Sequence, residues 1–149
     1  MYTREVSTHI DASPEAVYDY VTDLARHPEW AAAKLELTVG PAGENGLPTF
    51  SSVVHTMGSP KAKGRVLKME RPGLFEYESA DPSGLYRWTV NIEPDGAGTN
   101  FSQRLTQMEV PLWFRAIQPL VFSVVGKGTM EKGVANIKER VEAAKRAPA

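Results

Sequence analysis

Hydrophobic and polar positions alternate along residues 4–10, with Val6, Thr8 and Ile10 on one side and Glu5, Ser7 and His9 on the other. A period of two predicts a half-buried β-strand. The period then lengthens: Val17, Tyr20, Val21 and Leu24 recur at i, i+3, i+4 and i+7, which gathers them on one face of a helix. Ser13-Pro14-Glu15 marks its start, with a capping hydroxyl, a proline at the first helical position and a carboxylate near the positive helix end. A residue before proline avoids the helical region, so His27-Pro28 ends this helix or bends a short turn after it. On that basis His27 is a surface turn residue, with Trp30 following at once.

From Lys34 to Phe101 short alternating or β-rich runs are separated by Gly, Pro, Asp, Asn and Ser clusters, predicting strands near 34–39, 49–57, 61–70, 74–80, 85–93 and 99–110. Most connections are too short for a parallel crossover, which needs about a dozen residues, so neighbours pair antiparallel as a meander. After Pro111 the helical period returns, with Met130, Val134, Ile137, Val141 and Ala144 at steps of four and three. A helix from near Pro119 to Lys145 would be about 40 Å long. Inside it Gly126, Gly128 and Gly133 each cost about 1 kcal/mol relative to alanine, so a close backbone approach, a kink or a pocket edge is expected there.

The 149 residues suit one domain spanning 1–149, and 42% hydrophobic content supplies a core. Cysteine is absent, which excludes disulfides, thiolate nucleophiles and Cys-based zinc sites. Seventeen Lys plus Arg against eighteen Asp plus Glu leave a net charge of −1, so no general field attracts phosphates and nucleic acid is not an expected partner. Five bases against one acid fall in residues 61–71, and five acids against one base in residues 11–30. No run reaches the 18 apolar residues of a membrane span, and MYTREVSTHID lacks an apolar signal region. The expectation is a cytoplasmic protein without integral membrane association.

Chemistry-bearing patterns are sparse. His9, His27 and His55 lie on separate elements with no metal-ligand spacing, so no metal or cofactor is expected. No nucleophile elbow or phosphate loop occurs, and catalytic residues stay unassigned. Aromatic residues carry more: Trp30, Phe75, Tyr77, Tyr86, Trp88, Trp113, Phe114 and Phe122 fall at strand centres or around the final helix, at core or cavity positions. Phe75 and Tyr77 share one strand face, as do Tyr86 and Trp88. Arg87 has the opposite parity to Trp88, which reads as an exposed ion pair, and Arg65 lies among Lys61, Lys63 and Lys68 on an outer basic strand.

The stretch IDASPEAVYDYVTDLARHPEW, the turn RPGLFEY and the segment GAGTNFSQRL together resemble the START-like superfamily, also labelled SRPBCC or polyketide cyclase/dehydrase. The resemblance implies an α+β helix-grip fold: a strongly bent antiparallel sheet of about seven strands around a long C-terminal helix, with two short helices after the first strand. It also implies an apolar cavity between sheet and helix. Trp30, Tyr77, Trp88 and Phe122 are the candidates to line it, with Trp30 at the mouth. Members include lipid carriers, hormone receptors, aromatic polyketide cyclases, quinone-binding proteins and chaperone activators, so fold alone does not choose a function. The leading expectation is binding or carriage of a small hydrophobic molecule such as a lipid, polyketide, quinone or isoprenoid. A polyketide aromatase/cyclase-like enzyme is the alternative, followed by a protein-interaction module using the basic strand and acidic helix. Oligomeric state is left open.

Overall fold

The computed structural model describes residues 2–55, 59–124 and 128–147. Strand β1 covers Thr3–Ile10 and half-buries alternate residues as its period requires, ending on the fully buried Ile10. Helix α1 follows at Pro14–Val21, its N-terminus closed by Ser13 Oγ, which accepts from the Ala16 amide at 3.2 Å. A 3₁₀ turn over Leu24–Arg26 leads into the single turn α2, His27–Trp30. His27 is helical at φ −51° and ψ −42°, contrary to the expectation from Pro28. Because α2 begins at His27, Pro28 sits in the first turn, where its missing N–H removes no helical bond.

Six further strands form the meander: β2 Leu35–Ala42, β3 Pro48–Val54, β4 Lys61–Glu70, β5 Leu74–Asp81, β6 Gly84–Asp95 and β7 Gly98–Glu109. With β1 they make one open antiparallel sheet in the order β1-β7-β6-β5-β4-β3-β2. Register decides which side chains share a face. Phe50 pairs with Gly64, Val66 with Tyr77, Tyr77 with Trp88, Phe75 with Val90 and Ile92 with Phe101, all on the inner face. Glu78 pairs with Arg87 on the outer face. Register shifts in β2, β4 and β6 add local twist and bend to those strands.

Two helices follow β7: α3, Leu112–Val124, and α4, Thr129–Arg146. The helical run therefore starts earlier than Pro119, which lies inside α3. Pro111 opens it, since its carbonyl accepts from the amides of Phe114 and Arg115, both at 3.1 Å. Gly128 caps α4 at φ +78°, a left-handed conformation that favours glycine; Gly126 lies outside the described residues. Helix α4 buries Met130, Val134, Ile137 and Val141 and runs beside β1. Lys138 donates to the His9 carbonyl at 2.7 Å, Glu142 accepts from the Asp11 amide at 2.8 Å, and Arg4 pairs with Glu131. The core between α1, α4 and the sheet contains Ile10, Val17, Val21, Phe75, Phe101 and Ile137. Among the described residues no helix is long and apolar enough to cross a membrane.

Candidate functional site

Four rings from three elements converge on the inner face. Within α2, His27 and Trp30 are one helical turn apart, and their rings stack at 4.0 Å. Tyr77, at the centre of β5, meets His27 edge-on at 6.2 Å. Its cross-strand partner Trp88 lies nearly parallel to it, at 12° and 6.1 Å between centroids. Phe50 and Phe75 close two further sides of Tyr77, at 6.0 and 5.2 Å. Phe50 reaches in because its partner Gly64 has no side chain: a Cβ there would fall 2.1 Å from the Phe50 ring. Helix α4 fixes α2 from behind, with Asn136 donating to the Trp30 carbonyl at 3.2 Å.

The array is electrically neutral, with Trp30 and Tyr77 buried and His27 and Trp88 half-buried. Burial alone lowers the His27 pKa to about 4, so its imidazole is neutral at pH 7. Burial alone also pushes the Tyr77 phenol well above its ordinary range. Among the described residues no charged group compensates either ring. Trp30 is buried, and its Nε1–H is enclosed without a hydrogen-bond partner. Such orphaned donors are rare in folded proteins, because each forfeits the hydrogen bonds that water supplied. The array thus offers apolar ring faces, an unpaired indole donor, a phenol and a neutral imidazole, a set suited to a molecule that is flat, uncharged and carries a few acceptor oxygens. No group of His, Asp and Glu residues among those described is arranged to hold a metal.

Of the residues singled out from the sequence, Trp30, Tyr77 and Trp88 come together, whereas Phe122 packs elsewhere. Its ring meets Tyr2 at 4.7 Å and Phe114 at 6.0 Å, where α3 passes the start of β1. Trp113, expected in core or cavity, is 57% exposed. His27 is half-buried within the array rather than a surface turn residue, and sequence reasoning missed it because the local proline rule outweighed its three-residue spacing from Trp30. His9 and His55 face outward, each within 3.0 Å of a carboxylate, Asp95 and Glu36.

Beyond the array, a polar chain leads from the inner face to the β5–β6 hairpin. Tyr86, nine-tenths buried and bonded by the Gln107 amide, lies 2.7 Å from Ser83 Oγ, which donates to Asp81 at 2.5 Å. Gln107 and Gln118 exchange two hydrogen bonds at 3.1 and 3.2 Å, tying α3 to β7. On the outer face Arg87 and Arg65 both reach Glu78, at 2.6 and 3.4 Å, in agreement with the parity argument. A groove of about 530 Å³ lies there among Thr38, Thr49, Lys63, Arg65 and Leu85. Another, of about 590 Å³, lies between α1 and the end of α4. The first touches the array only through Phe50 and lies beside Arg87, whose Nε–H also lacks a partner; both are open, and neither gathers the His27, Trp30, Tyr77 and Trp88 rings, so the array remains the stronger candidate.

Known structures share this architecture. A protein from Thermus thermophilus, TTHA0849, is 22% identical and superposes with a TM-score of 0.77 over 96% of this chain and 99% of its own. A START superfamily protein from Mycobacterium smegmatis is 17% identical, with a TM-score of 0.71 over 97% and 99%. The di-domain aromatase/cyclase StfQ of the steffimycin biosynthetic pathway is 12% identical, with a TM-score of 0.74 over 97% of this chain and 52% of its own. At these identities the likeness establishes the fold, a START-type helix grip. No curated protein matches the sequence. The profile of one family does match, over residues 1–142, and by that match the chain belongs to the family described as polyketide cyclase / dehydrase and lipid transport.

Proposed function

We propose that the protein binds and carries a small hydrophobic molecule on the inner face, between the sheet and helices α2 and α4, with Trp30, Tyr77 and Trp88 as contact residues and His27 beside them. The observation that carries this reading is the enclosed Trp30 Nε1–H without a partner, set among aromatic faces that no charge compensates. A carbonyl or ether oxygen would satisfy the donor, and parallel ring faces suit a flat body better than a single acyl chain. The family match supports the hydrophobic class of ligand. Titration with 2-methyl-1,4-naphthoquinone, followed through the three indole N–H resonances, tests it. The Trp30 signal should move downfield saturably at one ligand per chain, Trp88 should shift with it, and Trp113 should stay. Unmoved Trp30 and Trp88 signals with naphthoquinone, and equally with palmitate, would overturn the reading.

A second reading, a cyclase or dehydrase activity, draws on the Tyr86–Ser83–Asp81 chain. Such a relay would pass a proton between a ligand carbonyl on the inner face and the hairpin surface, as general acid–base catalysis of enolisation requires. Deuterium exchange at the α-carbon of a bound β-diketone, slowed by Ser83→Ala, is the outcome that favours it. Equal exchange with and without protein would remove it.

A further inference from the structure

Helix α3 is inverted relative to the usual amphipathic arrangement. Its glutamine, Gln118, points inward to Gln107, and Phe114 is buried beneath it. Its large aliphatic and indole side chains point outward: Leu112 is 80% exposed, Trp113 57%, Ile117 43% and Leu120 68%. At 100° per residue these four and Ala116 occupy one continuous sector, and the ridge runs about 12 Å along the axis. Arg115 flanks it, and no acidic residue occurs between Glu109 and Glu131. Exposed apolar residues scattered singly need no explanation, but a contiguous helical ridge does.

We propose that α3 lies flat on a lipid bilayer, with Leu112, Trp113, Ile117 and Leu120 in the acyl boundary and Arg115 at the phosphate level. Two arguments select a bilayer over a second copy of the chain. The ridge exposes on the order of 400 Å² of apolar surface, about half of the ~800 Å² per partner that a standard protein interface buries. A bilayer demands no such area or shape complementarity, and a helix carrying Trp and Leu on its outer face with a flanking arginine fits the interfacial zone. The absence of acidic side chains across the segment removes the repulsion an anionic leaflet would otherwise exert. The net charge of −1 makes apolar insertion, rather than long-range attraction, the main contribution.

This inference stands on α3 alone and does not require the ligand reading. Flotation of the full chain with phosphatidylcholine vesicles, and with vesicles containing phosphatidylglycerol, tests it. Binding should occur with both, somewhat more strongly with the anionic lipid, and brominated acyl chains should quench Trp113 but not Trp30. Leu112→Glu combined with Leu120→Glu should weaken partitioning at least tenfold without changing the melting temperature, because both positions are exposed. Two results would overturn the proposal: no association of the parent protein with either vesicle, or equal association of parent and double variant. A concentration-dependent dimer that the double variant dissolves, without vesicle binding, would assign the ridge to a second copy instead.

Discussion

Helices α3 and α4 follow one another in the chain, yet they use their apolar residues in opposite ways. The more polar α4 has a narrow stripe, Met130, Val134, Ile137 and Val141, and buries all of it. The more apolar α3 buries Phe114, half-buries Val121 and Phe122, and leaves its widest apolar sector in water. The difference lies in what anchors each helix. Polar tethers to β1 and the following turn, from Lys138 and Glu142, set the rotation of α4, and its stripe matches the face those tethers turn toward the sheet. The reciprocal Gln107–Gln118 bonds set the rotation of α3. Hydrogen bonding of the buried Gln107 to the half-buried Gln118 has overridden hydrophobic patterning, because an unpaired buried amide costs more than an exposed leucine.

The largest effect of substitution is expected on α4. Ile137 is fully buried, so Ile137→Asp should cost several kcal/mol, a large share of a typical 5–15 kcal/mol total, and leave the protein unfolded in circular dichroism at 25 °C. A cooperative melt near that of the parent would mean that α4 does not hold the fold together. The next effect concerns α2, which α4 holds in place. The folded pKa of His27, about 4, lies below its ordinary 6.5, so between those values the unfolded chain binds a proton that the folded chain does not. Stability is full above pH 6.5 and falls as pH drops toward 4, by about 2 kcal/mol between pH 7 and pH 5. Asp19, Glu29 and Glu142 have lowered pKa values, so their contributions are lost at more acidic pH and leave this window to His27. His27→Phe should keep the stacking and flatten the dependence in denaturant titrations at the two pH values; an unchanged slope would place the titration elsewhere.

Smaller effects are expected on α3. Gln118→Ala leaves Gln107, 2% exposed, without one of its partners and should cost about 1 kcal/mol. Amide exchange should then accelerate across α3 and stay unchanged in α4, and uniform acceleration in both would contradict separate anchoring. Least of all, Leu112→Asp should alter stability by no more than about 0.5 kcal/mol, since its side chain is already in water. A loss comparable to that of Ile137→Asp would show that α3 packs as α4 does.

Much of the architecture was legible along the chain. The period of two in β1, the Ser13-Pro14 cap and the Val134-Ile137-Val141 stripe are local signals, and each appears where its spacing requires. Short turns compelled antiparallel pairing, and parity separated Arg87 from Trp88 before their strand had a partner. The sequence left open what depends on two distant segments at once. That Tyr77 and Trp88 face inward follows from their packing partners on other strands and on α2, since alternation is the same whichever face is buried. His27 became part of the array because α2 starts at that residue and Asn136 of α4 holds its last turn, more than a hundred positions away. The outward ridge of α3 was invisible for a related reason. A helix apolar nearly all round carries little orientation in its own pattern, so the Gln107–Gln118 contact, formed only in the tertiary structure, decided which of its faces meets water.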